Sequence, residues 1–183
     1  MKKFCILFLG LFIIILTAIG TAKEPEPQND YLRIHIRANS NAAEDQSVKY
    51  LVRDAVVNAI TPWIADCSTK AQAVAVMKNH LSDLDAISEK VLLAHGYLYG
   101  AHADIRQEEF PTRVYDKYTL EAGVYDALII ELGTGTGDNW WCCIYPPLCF
   151  TATGEENIKY RSKLIETVKR FFEKEESSQE SVK

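Results

Sequence analysis

The sequence predicts an α+β domain, a two-layer sandwich of a mainly antiparallel sheet with helices packed on one face. Three observations lead there. Tyr31 to Arg37 alternates apolar and polar residues. The stretch from Asn41 to Gly96 carries apolar residues at spacings of three and four. After Gly96 the period falls to two, in short stretches broken by Phe110–Arg113 and by glycine-bearing turns up to Tyr145. A period of two reads as strand and one near 3.6 as helix, and strands grouped after helices favour α+β over an alternating parallel fold.

The chain has 183 residues and a net charge of −5. Lys2 and Lys3 precede an apolar run from Phe4 to Leu16, and Ala18-Ile-Gly20 or Gly20-Thr-Ala22 offers a small-residue cleavage site. Residues 1–22 therefore read as a signal peptide or as an uncleaved membrane anchor, and the remainder is expected to cross a membrane. Residues 23–30 are polar, carry Pro25 and Pro27, and form a linker. About 150 residues follow, enough for one domain with a sizeable core. Its boundaries are expected at 31–173, with a charged, Ser-rich flexible tail at 174–183. The acidic balance argues against nucleic acid or anionic lipid headgroups as the main partner.

In order, Leu32, Ile34 and Ile36 form the buried face of a first strand, and Arg33, His35 and Arg37 its polar face. Asn41 with Glu44 has the spacing of a capping box, and a helix follows to about Ile60 on Val48, Leu51, Val52, Ala55, Val56 and Ala59. Thr61-Pro62 ends or kinks it. A second helix starts at Ser68 or Thr69. A third runs from about Asp83 through Leu84, Ile87 and Val91 and stops at Gly96. Strands are then expected at Tyr97–Arg106, Val114–Leu120, Val124–Leu132 and Asn139–Tyr145. The nearly continuous apolar run of the third of these suits a central position. Pro146-Pro147 ends the pairing, and a last amphipathic helix spans Asn157–Glu173.

Candidate chemistry is sparse. None of the four histidines has metal-ligand spacing, and His35 reads as a solvated residue on the polar face of its strand. No metal and no cofactor is expected. The Gly133-Thr-Gly135-Thr-Gly137 run lacks the Lys-Ser/Thr end of a phosphate loop and reads as a hairpin turn. Export makes a disulfide plausible, and Cys142 or Cys143 with Cys149 would close a loop over the two prolines. The polar cluster Arg37, Asn39 and Ser40 reads either as a satisfied turn or as a recognition edge. Phe110-Pro111-Thr112-Arg113 poses the same choice, with Phe110 in the core under the first reading. The adjacent Trp140 and Trp141 must point to opposite faces, so one faces another layer or a partner.

Several of these segments together resemble one family. Arg33-Ile-His35-Ile-Arg37-Ala-Asn39-Ser40, Asp45-Gln46, Lys49 and Val52-Arg53-Asp54-Ala55 look like the N-terminal signature of the stage II sporulation protein R (SpoIIR) family. Phe110-Pro-Thr-Arg113 with Tyr115 resembles its middle motif. Ala122-Gly123, Tyr125, Ala127-Leu128, the glycine-rich turn and Asn139-Trp140-Trp141-Cys142 through Pro146-Pro147-Leu148-Cys149-Phe150 resemble its C-terminal motif. Cys143 stands where an apolar residue is expected and offers a thiol competing with the Cys142–Cys149 pairing; Tyr145 stands where Phe is expected.

The resemblance implies a signalling protein rather than an enzyme. It would be made in the forespore and exported to the space between the forespore and mother-cell membranes. There it would trigger a membrane-embedded aspartic protease of the mother cell, SpoIIGA, to process the precursor of sigma-E. The expected contact residues are Arg37, Asn39, Ser40, Phe110, Pro111, Thr112, Arg113 and Trp140. The competing reading is an exported thiol-dependent or hydrolytic enzyme using Cys142 or Cys149 with a histidine, which needs an exposed thiol of lowered pKa.

Overall fold

The computed structural model describes residues 30–115, 118–149 and 158–180. The expected leader at residues 1–22 and most of the linker lie outside them, as does Phe150. Among the described residues, no helix is long and apolar enough to cross a membrane. The order is β1 (Leu32–Arg37), α1 (Ala43–Ile64), α2 (Lys70–Asn79), α3 (Leu81–Ala94), β2 (Ala101–Phe110), β3 (Arg113–Tyr115), β4 (Tyr118–Leu120), β5 (Gly123–Leu132), β6 (Asn139–Tyr145) and α4 (Ile158–Glu180). This is the predicted α+β class. The main sheet has the order β2-β5-β1-β6, and β3 pairs with β4 in a separate hairpin. The main sheet is mixed: β5 runs antiparallel to β2 and parallel to β1, and β6 runs antiparallel to β1.

Helices were expected on one face alone, but both faces of the sheet are covered. Leu32, Ile34 and Ile36 of β1 join Leu128, Ile130 and Ile144 beneath Val48, Val52, Val56 and Ile60 of α1, Met77 of α2 and Leu84 and Leu92 of α3. The opposite face carries Phe110, Tyr125, Ala127, Ile129 and Cys143, covered by Leu120 and Tyr115 of the hairpin and by Phe171 and Phe172 of α4. Burying a side chain such as Leu or Ile stabilises by about 1.5–3 kcal/mol, so each face is a core in its own right.

Five local expectations are corrected. α1 continues through Pro62 to Ile64. Proline removes one N–H and clashes with the preceding turn, but Ile60 and Ile64 are both buried on either side of it, and their packing carries the helix across. The Asn41–Glu44 box does not form: the N-cap is Ala42, without a side-chain cap bond. Asn41 Oδ1 instead accepts from Asp138 N–H at 2.6 Å. The strand expected at Tyr97–Arg106 lies at Ala101–Phe110, because its ten-residue register with β5 outweighs the apolar start. Val114–Leu120 folds as the two strands of a hairpin. The last helix also reaches beyond Glu173, to Glu180. α2 starts where expected, with Thr69 Oγ1 accepting from Gln72 N–H at 3.2 Å.

Candidate recognition surface

The corner between β1 and α1 is built around Asp45, in the first turn of α1. Its carboxylate accepts hydrogen bonds from Asn39 Nδ2 at 2.9 Å, Ser40 Oγ at 2.6 Å and Tyr99 Oη at 2.7 Å. Burial alone would raise this carboxyl; the bonds from Ser40, Tyr99 and Asn39 outweigh it and hold it below the usual carboxylate range. The helix N-terminus favours the same charged state. The glycine-rich turn is fastened to this corner. Asn39 Oδ1 accepts from Thr134 N–H at 3.0 Å, and the hydroxyls of Thr134 and Thr136 donate to the Asn39 carbonyl at 2.8 and 2.9 Å. Lys49, 1% exposed, donates to Gln46 Oε1 at 2.6 Å and to the Asp138 carbonyl at 2.9 Å. Gly133 turns here at a φ of 57°, a backbone region open mainly to glycine. The run is therefore a turn, and the polar groups of Asn39 and Ser40 are engaged within the fold.

The second face of β1 corrects the reading of His35. It is fully buried, as is Arg33. The His35 ring packs 4.6 Å from Trp141 and 5.4 Å from Phe110, centroid to centroid. Neither ring nitrogen has a hydrogen-bond partner among the described residues, and Glu108 Oε2 stands 3.8 Å from Nε2. Burial, followed by the charges of Arg37, Arg106 and Arg33, lowers its pKa to about 3. The nearby Glu108 would act the other way, but it is already held by Arg37 and Arg106. His35 is neutral near pH 7 and is not a solvated group. The physical reason is coverage: aromatic residues from β2 and β6 close over the face that alternation marks as polar.

Among the described residues Arg33 is held by a carbonyl, a phenol and ring faces rather than by a carboxylate. Nε donates to the Cys142 carbonyl at 3.0 Å and Nη2 to Tyr115 Oη at 3.0 Å. The guanidinium lies 4.4 Å from the Phe110 ring centre and 4.8 Å from that of Tyr125, within cation–π range. Arg37 bridges Glu108 and Glu131, and Arg106 donates to Glu131 at 2.7 Å, closing a charged network at the end of the sheet.

The expected contact residues separate into two sets. Phe110 is 2% exposed and belongs to the core. Thr112 Oγ1 accepts from Ala122 N–H at 3.0 Å and so braces the bend. Arg37, Asn39 and Ser40 are tied as described. Pro111 and Arg113 are exposed, and Trp140 is half-buried. Arg53 lies between two rings, 5.8 Å from Trp140 and 4.9 Å from Tyr50, and pairs with Asp54 at 2.7 Å. Tyr50, 44% exposed, was not singled out by the sequence reading; helical spacing from Arg53 was the available signal. A cavity of about 560 Å³ lined by Lys70, Tyr145, Arg170 and Phe171 lies towards the other end of β1, away from these residues.

The cysteines offer a poor nucleophile. Cys142 and Cys149 form a disulfide, with Cα atoms 6.1 Å apart. Cys67 and Cys143 are free and buried. Burial raises both thiols, that of Cys143 to about 12, the opposite of the lowered pKa that thiolate chemistry needs.

The family model for stage II sporulation protein R matches residues 28–155. This range holds the Asp45 corner, the His35 face, Trp140 and the disulfide. The chain belongs to the stage II sporulation protein R family. It is 35% identical over 161 residues to the Bacillus subtilis (strain 168) protein named Stage II sporulation protein R, covering 82% of this chain and 72% of that protein. No solved structure matches. The family assignment supports a role in stage II of sporulation.

Proposed function

We propose that this chain is an exported signalling protein that activates the membrane-embedded aspartic protease SpoIIGA, which then processes pro-sigma-E in the mother cell. It acts from the space between the forespore and mother-cell membranes, reached through its N-terminal segment. The observation that carries this reading is the family match across residues 28–155, nearly the whole folded unit. The disulfide takes up Cys142 and Cys149, the two thiols that the enzyme alternative needs free, and this favours a binding role. A binding protein shifts its partner's equilibrium only by binding the active state better than the inactive one. Activation is thus selective binding to the extracytoplasmic part of the protease.

Of the expected contacts, Trp140 with Arg53 and Tyr50, and the exposed Pro111 and Arg113, are available to a partner. Aromatic and arginine anchors dominate most interfaces. The test is reconstitution in a non-sporulating host expressing this chain, the protease and pro-sigma-E. Cleavage should require export of this chain and fall at least tenfold with Trp140→Ala while the chain still melts cooperatively. Cleavage that is indifferent to the chain's presence would defeat the proposal.

A further inference from the structure

The two edges of the main sheet are built differently. β2, at one edge, carries Asp104, Arg106, Glu108 and Glu109. Its amides at Ala103 and Ile105 donate to carboxylates, of Asp85 at 2.6 Å and of Asp104 at 2.7 Å, rather than into a ladder. Charges and capped amides keep an edge from pairing with another chain. β6, at the other edge, opens with Asn139-Trp140-Trp141 and has no charged residue.

Backbone alternation gives the direction of its polar groups. The N–H and the carbonyl of Cys143 both meet Cys149 Sγ, at 3.1 and 3.3 Å, so they face away from β1. Two and four residues earlier, Trp141 and Asn139 present their N–H and C=O on the same outer side. Among the described residues β6 pairs with β1 alone. Its two tryptophans straddle the edge. Trp140 lies on the α1 face beside Arg53, and Trp141 lies on the other face against His35.

We propose that the Asn139–Trp141 edge of β6 receives an extended segment of the partner protein as an added strand. The segment exchanges backbone hydrogen bonds with Asn139 and Trp141. Its side chains alternate between Trp141 on one face and the Trp140–Arg53–Tyr50 group on the other, where an acidic or aromatic side chain fits the guanidinium. Main-chain bonds supply affinity in this mode and flanking pockets supply specificity. A second copy of the chain suits the edge less well. Two-fold pairing of β6 with itself keeps both α1 helices on one face and sets each Arg53 beside a copy whose nearest carboxylate, Asp54, is already held by its own Arg53. This inference rests on the reading that the chain acts by binding.

The experiment is hydrogen exchange on the full chain with and without membranes containing the protease, beside the cleavage assay on Asn139→Pro and Arg53→Glu. Proline at 139 removes an outward N–H and leaves the pairing with β1 intact. In the free chain the amides of Asn139 and Trp141 should exchange at least tenfold faster than those of Trp140 and Cys142, which face β1. The partner should slow them at least tenfold. Each variant should lose at least tenfold in cleavage, with melting unchanged within about 2 °C. Edge amides already slow in the free chain, or unchanged in a complex that forms, overturn the inference. So does protection that appears in the free chain only as it dimerises. Full activity of both variants overturns it while leaving the proposed function standing. A wild-type chain that neither binds nor drives cleavage overturns the proposed function, and this inference with it.

Discussion

His35 makes stability depend on pH in a way that one substitution can isolate. In the unfolded chain its imidazole titrates near the ordinary value of 6.5; in the fold burial, Arg37, Arg106 and Arg33 lower it to about 3. Between those values the unfolded state binds the proton and the folded state does not. The stability contributed by neutral His35 is therefore complete above about pH 6.5 and is lost as pH falls towards 3. At about 1.4 kcal/mol per unit, the loss is about 2 kcal/mol by pH 5 and about 4 kcal/mol by pH 3. Against a total of about 5–15 kcal/mol for a domain, this is a large share. His35→Leu removes the proton site and two buried ring nitrogens while keeping an apolar neighbour for Phe110 and Trp141. Carboxylates titrate in both proteins, so their contribution cancels in the difference. The assay is denaturant unfolding of wild type and variant at pH 7 and pH 5. The wild type should lose about 2 kcal/mol more than the variant over that interval. Equal losses would mean that His35 meets water or a proton acceptor in the fold, and the buried-face account would be wrong.

Three further outcomes test the rest of the architecture. Asn39→Ala removes the bonds to Asp45 and to Thr134 N–H and should cost about 2 kcal/mol of stability; lost signalling with unchanged melting would instead make Asn39 a contact residue. Gly137→Ala places a Cβ inside the Ser40 carbonyl and 3.0 Å from Ala38 Cβ, and should lower the melting temperature by at least about 4 °C; an unchanged value would mean that the turn is not seated on the corner. Native Cys67 and Cys143 should resist alkylation and react only on unfolding, and fast labelling at pH 7 of either would mean that its side of the sheet is open to solvent.

What was legible in the sequence followed periodicity. The strand at Leu32–Arg37, the stripe of Val48, Val52, Val56 and Ile60, and the central place of β5 were all readable, because each repeats on a single face. Element ends were not, where a tertiary contact outweighs a local signal. Pro62 is a strong local stop, and it is overridden by burial of Ile64 one turn beyond Ile60. Asn41 has the spacing of a cap, and it is drawn away by Asp138, 97 residues later. The parallel pairing of β1 with β5 leaves no mark in either strand alone.

His35 and Arg33 show a deeper limit. Alternation assigns residues to faces but does not say what covers a face. Polar residues on one side of a strand usually mean water, and here they mean a second core made of Phe110, Tyr125, Trp141 and the hairpin's Tyr115. The aromatic rings make that possible: the buried Arg33 guanidinium is stabilised by ring faces and by the Cys142 carbonyl, which belongs to β6. Arg33 therefore ties the strand that carries Trp140, Trp141 and the disulfide to the centre of the sheet. The same logic separates the candidate contacts. Side chains of Asn39, Ser40, Phe110 and Thr112 are engaged in holding the corner, the core and the bend. What remains open to a partner is Pro111 and Arg113 at the bend, and Trp140 with its arginine and tyrosine beside a strand edge whose backbone groups point outward.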